Sequence, residues 1–123
     1  MSQTFRALTV RERSALETML SVEFRDHQKL KMQVNDLALR PIDETLYELA
    51  PLSSSVRLGE KKTKKFGVPV ECTYTDKDDA IVYVDLFVNE DDVLVELEIW
   101  KPDGSTVQAY FADADLAVKV QAV

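Results

Sequence analysis

The spacing of hydrophobic residues changes along the chain, and the change divides it into a helical part and a strand part. In "LTVRERSALETML" (8–20), Leu16, Met19 and Leu20 fall on one face at helical spacing. Thr9 stands before this run with Glu12 three residues on, a pairing that predicts a capping box and a helix start. "RDHQKLKMQVND" (25–36) predicts a second helix, anchored by Leu30 and Val34 and capped by Asp26. "LALRPIDETLYELA" (37–50) predicts two short strands around a turn at Asp43–Thr45, with Pro41 suited to an edge strand because it has no N–H to donate. Residues 51–67 predict a loop by their Ser, Gly and Lys content. From Val68 onward the period becomes two, predicting strands over 68–75, 80–88 and 93–100 with turns at "DKDD" and "NEDD". "KPDG" (101–104) is a turn and "STVQAYF" a fourth strand. The tail supports two readings: Asp113 as a helix cap, or Leu116, Val118 and Val120 as strand alternation.

These elements predict one α+β domain over residues 1–123. Its expected form is an antiparallel β-meander sheet with two N-terminal helices packed on one face. A two- or four-residue turn at "NEDD" pairs Val82 with Ile99, Val84 with Leu97, Leu86 with Val95 and Val88 with Val93, an apolar set for the core. The same register sets Tyr83 against Glu98, Asp85 against Glu96, Phe87 against Leu94 and Ile81 against Trp100 on the other face. In the preceding hairpin a four-residue loop at 76–79 turns Val70 and Cys72 outward, whereas a three-residue loop at 77–79 turns Val68, Val70, Cys72 and Tyr74 toward the core. Burial favours the second.

That choice puts Glu71 beside Asp85, so Glu71, Asp85 and Glu96 are expected to form an acidic row across three strands. Glu98, Tyr83, Phe87 and Trp100 surround it. Like charges facing each other across strands are unfavourable. Acids within an aromatic frame suit a basic, partly apolar protein partner. The bland alternative is an ordinary solvent-facing sheet.

Composition sharpens this picture. The formal charge is −7, and it is uneven: residues 1–67 hold 12 Lys/Arg against 9 Asp/Glu, and residues 68–123 hold 3 against 13. An acidic strand region repels nucleic acid and attracts basic partners, or serves only solubility. The "KKTKK" cluster (61–65) lacks the interleaved aromatics that stack bases, so no nucleic-acid binding is expected. The opening residues lack an apolar stretch of signal-peptide length, and no run is long enough to span a bilayer, so a soluble, cytoplasmic protein without membrane contact is expected. A single cysteine fits a reducing compartment.

Candidate chemistry is sparse. His27, the only histidine, and Cys72 lie far apart in sequence, and no P-loop, dinucleotide loop, nucleophile elbow or zinc spacing is present. "DKDD" lacks the glycine and distal glutamate of an EF-hand loop. No catalytic residue, cofactor or metal ligand is assigned, and no enzymatic activity is expected. A carboxylate site of Glu71, Asp85 and Glu96 for Mg²⁺ or acid–base work is the minor alternative.

"RALTVRERSALETML", "LRPID", "VPVE" and "LVELEIWKPDGS" together resemble a family of small bacterial domains of unknown function. The resemblance covers roughly residues 5–107 and carries no catalytic residues with it. The acidity and small size are also similar to those of immunity proteins of bacterial toxin systems, including contact-dependent growth inhibition. The expected function is a non-enzymatic protein-binding module, foremost an immunity protein that blocks a basic, nuclease-type toxin domain. A homodimer built on the aromatic-framed face is the structural alternative.

Overall fold

A computed structural model describes residues 4–52 and 64–121; much of the loop expected over 51–67, and the last two residues, lie outside them. The architecture is α+β, with two helices and an eight-stranded antiparallel sheet. The strands are β1 (Arg6–Ala7), β2 (Leu37–Pro41), β3 (Leu46–Pro51), β4 (Phe66–Gly67), β5 (Val70–Thr75), β6 (Ile81–Val88), β7 (Leu94–Trp100) and β8 (Ala117–Val120). They are ordered β1-β2-β3-β7-β6-β5-β8, with β4 also pairing with β6.

Helix α1 (Val10–Met19) starts as its sequence demands. Thr9 Oγ1 accepts the Glu12 N–H at 3.1 Å, and Glu12 Oε1 accepts the Thr9 N–H at 2.9 Å. Helix α2 (His27–Gln33) runs into a 3-10 turn at Val34–Asp36 and buries Leu30 and Val34. Asp26 precedes it but does not cap it: the residue is left-handed at φ 66° and its side chain makes no cap hydrogen bond.

The turn between β2 and β3 is held by Asp43 Oδ1, which accepts from Thr45 N, Thr45 Oγ1 and Leu46 N. β2 is nearly an edge, covered only where β1 pairs at Leu39 and Ala38; Pro41 lies beyond that cover. The β5–β6 hairpin closes with Asp76 N donating to Ala80 O at 2.8 Å, so its loop is the three residues 77–79, with left-handed Asp79 ending the turn. Val70, Cys72 and Tyr74 are consequently buried, as burial required.

The meander is therefore only part of the sheet: β3 adds to β7, and β8 adds to β5. "STVQAYF" is not a strand. Its backbone is satisfied elsewhere: the Asp76 carboxylate accepts from Gln108 N and Ala109 N at 2.9 and 2.7 Å, and Tyr74 OH donates to Ala109 O at 2.6 Å. The chain then makes a 3-10 turn at Phe111–Asp113, and the free edge of β5 is taken by the tail as a strand. Leu16, Met19, Leu20 and Leu30 from the helical part join one core cluster with Leu39, Leu49, Val84, Leu97, Ile99 and Phe111.

Candidate partner-binding face

Alternation along β6 buries Val82, Val84, Leu86 and Val88 and turns Ile81, Tyr83, Asp85 and Phe87 outward. What faces them on β7 is decided by the connecting loop. Asn89 N donates to Val93 O at 2.9 Å, and Asn89 Oδ1 accepts from Asp91 N and Val93 N. Left-handed Asp92 (φ 60°) ends this turn, so the loop has three residues, neither two nor four. Leu94 thereby faces Val88, and a bulge at Val95 restores the alternation before Phe87 meets Glu96. The remaining pairs are Asp85 with Glu98 and Tyr83 with Trp100 on the outward face, and Leu86 with Leu97 and Val84 with Ile99 inward. The expected pairs of Tyr83, Asp85 and Phe87 outward, and of Val84 and Leu86 inward, are each displaced by two residues, and Leu94, expected outward against Phe87, lies inward against Val88 in the place assigned to Val93.

The expected acids do lie on one face, but they do not form a bare row. Glu71 pairs with Lys119 of β8 at 2.9 Å. Glu96 pairs with Lys65 at 2.5 Å, and the same ammonium lies 4.8 Å from the Phe87 ring centroid. Asp85 accepts the Trp100 indole N–H at 2.6 Å, and Trp100 stacks on Tyr83 with centroids 4.7 Å apart. Glu98 makes no ion pair with any described residue. Register extends the face to β3 and β2, where Glu48 lies opposite Glu96 and bonds Arg40 at 2.7 Å, and Arg40 lies 4.6 Å from the Phe5 ring centroid.

Periodicity assigned all seven expected residues to the outward face correctly; the cations Lys65, Lys119 and Arg40, with Glu48 and Phe5, were missed. Their contacts are long-range, and only the strand order β2-β3-β7-β6-β5-β8 reveals them. Five carboxylates (Glu48, Glu71, Asp85, Glu96, Glu98) against three cations leave the face acidic. Its apolar residues are partly open: Ile81 is 53% exposed and Trp100 38%. Among the described residues no group of three or more His, Cys, Asp and Glu is arranged to hold a metal ion.

Two networks, each centred on a buried charge, brace the scaffold. Glu12, 1% exposed, takes both oxygens to Arg6 at 2.7 and 2.8 Å and accepts from Tyr110 OH. Burial alone would raise its pKa, but the hydrogen bonds from Arg6, Tyr110 and the Thr9 amide outweigh that and hold it down at about 2. Lys101, buried, bonds Asp76 at 2.7 Å and Asp78 at 2.8 Å. The ammonium and three backbone amides around Asp76 overcome desolvation and depress its pKa. Cys72 is a core thiol whose pKa desolvation pushes up to about 12, and His27 Nδ1 lies 3.2 Å from Phe24 O; no contact joins the two among the described residues. No helix of the described residues is long and apolar enough to cross a membrane.

A family model for a domain of unknown function (DUF6984) matches residues 5–111. The chain belongs to that family. The DUF6984 match takes in the helices and β2 to β7, hence Glu71, Tyr83, Asp85, Phe87, Glu96, Glu98 and Trp100. It stops before β8, so Lys119, the partner of Glu71, lies outside it. No curated protein matches the chain, and no solved structure does.

Proposed function

We propose that this DUF6984 chain is a non-catalytic protein-binding module that receives a basic partner on the outward face of β3, β7, β6 and β5. The reading includes both helices covering the opposite face, so that the acidic face stays free. The observation that carries it is the stacked Tyr83–Trp100 pair, part-exposed and fastened to Asp85 beside Glu98. Exposed aromatics with adjoining unneutralised charge suit a binding hot spot better than a merely solvated sheet. The ion pairs of Lys65 and Lys119 are solvent-screened, so an incoming cation can exchange with them. Inhibition of a basic, nuclease-type toxin in the cytoplasm is the specific form of this proposal, and it rests on the small size and acidity of the chain.

The test is capture from the producing cell with tagged wild type and with Asp85→Lys/Glu98→Lys, followed by mass spectrometry. The reversal avoids Glu96, which already holds Lys65. A basic protein retained by wild type and lost by the variant supports the module, and a nuclease among such proteins supports the toxin-inhibitor form. Identical sets from both baits refute the face. Ile81 and Trp100 favour self-association as a second reading, which sedimentation of wild type and Trp100→Ala tests.

A further inference from the structure

The outward face repeats one arrangement. Arg40 is held by the Glu48 carboxylate and lies over the Phe5 ring; Lys65 is held by the Glu96 carboxylate and lies over the Phe87 ring. In both cases an acid supplies the ion pair and an aromatic ring supplies its negative face. A third acid–aromatic set lies farther along β6 and β7: Asp85 and Glu98, directly opposite each other, beside the next cross-strand pair, Tyr83 and Trp100. No Lys or Arg among the described residues pairs with either of these two carboxylates. The Trp100 N–H bond to Asp85 fixes the indole beside the acids rather than leaving it to rotate.

We infer that Asp85, Glu98, Tyr83 and Trp100 form a subsite for an arginine side chain of a protein partner. The inference rests on the docking face proposed above and names what the face grips. Two carboxylates on adjacent strands suit a planar guanidinium, which offers several N–H donors in a fixed fork and stacks on aromatic rings; an ammonium offers only a compact charge. The two occupied sets on the same face show that this sheet holds cations in that way. The apolar strip continues to Ile81, giving the arginine stem and neighbouring residues a surface to lie on.

Trp100 is the only tryptophan, so its fluorescence reports this subsite directly. The full chain is titrated with a blocked peptide bearing one arginine between glycines and, separately, with the same peptide carrying uncharged citrulline. The titrations are repeated on Glu98→Gln and on Glu90→Gln, which removes the same charge from the β6–β7 loop. The expected result is a saturable Trp100 signal with the arginine peptide, at least about tenfold weaker with citrulline and with Glu98→Gln, and unchanged in Glu90→Gln. Equal weakening in both variants would mean attraction by net charge alone and would overturn the subsite, as would no saturable signal or an equal response to citrulline. The wider proposal fails separately: if the peptide does not bind but a partner captured from the cell still depends on Asp85 and Glu98, the docking face stands and the arginine subsite falls.

Discussion

Replacing Glu12 with Gln keeps the side chain's shape and removes one charge from an enclosed site. The carboxylate is held at about 2 against an ordinary 4.5, by Arg6, Tyr110 and the Thr9 amide acting against burial. A gap of that size corresponds to about 3 kcal/mol at neutral pH, at about 1.4 kcal/mol per pKa unit. For a domain of this length that lowers Tm by roughly 10–15 °C. The sign follows from the depressed folded value. The contribution is fully present above the unfolded value near 4.5, and it is lost as pH falls toward 2. Wild type and Glu12→Gln should therefore differ most at pH 6–7 and converge in acid. Asp76, also depressed, loses its contribution in acid in both proteins, so its part cancels in the difference. Urea unfolding at a series of pH values between 2 and 7 measures that difference directly. A gap below about 1 kcal/mol at pH 7, or one of constant size across the range, would refute the assignment of Glu12 as a charge stabilised by Arg6 and Tyr110.

Other outcomes follow from single contacts. Gln33 grips the β6–β7 loop with both ends, Nε2 to Asp92 O at 2.8 Å and Oε1 from Leu94 N at 2.9 Å, so Gln33→Ala should cost about 1–3 kcal/mol by urea unfolding and speed amide exchange at Leu94. Lys101→Met leaves Asp76 without its ammonium and should release the 101–110 segment, seen as faster exchange at Gln108 and Ala109; unchanged exchange there would contradict the role given to Lys101. Cys72, buried and with its thiol pushed up to about 12, should resist a thiol reagent at pH 8 until the protein is unfolded by denaturant. Leu16→Ala removes a fully enclosed side chain and should cost about 2–5 kcal/mol in the same unfolding assay.

The parts legible in the sequence were those fixed by near neighbours. Thr9 and Glu12 announce their own capping box, Asp43 its turn, and the burial of Val70, Cys72 and Tyr74 selects the three-residue loop at 77–79. The β6–β7 register was misread because Asp92 takes a left-handed conformation and Val95 bulges; neither alters the apolar pattern enough to be seen, and together they shift the partners of Tyr83, Asp85 and Phe87 by two residues and turn Leu94 inward. The 105–111 segment looked like a strand by alternation, yet side chains of Asp76 and Tyr74 satisfy its backbone instead. The face itself was legible residue by residue, but its charge balance was not. Lys65 and Lys119 reach Glu96 and Glu71 across 31 and 48 positions of sequence, and periodicity carries no information at that range.

A basic protein partner is proposed to dock on the outward sheet face. The most direct test is the affinity of a purified captured partner for wild type, for Asp85→Lys/Glu98→Lys, and for Glu17→Lys/Glu23→Lys, which makes the same charge change on and just after α1. Docking on this face predicts a loss of more than about tenfold for the first variant and little change for the second. Equal losses in the two variants, or an affinity untouched by reversal at Asp85 and Glu98, would contradict it.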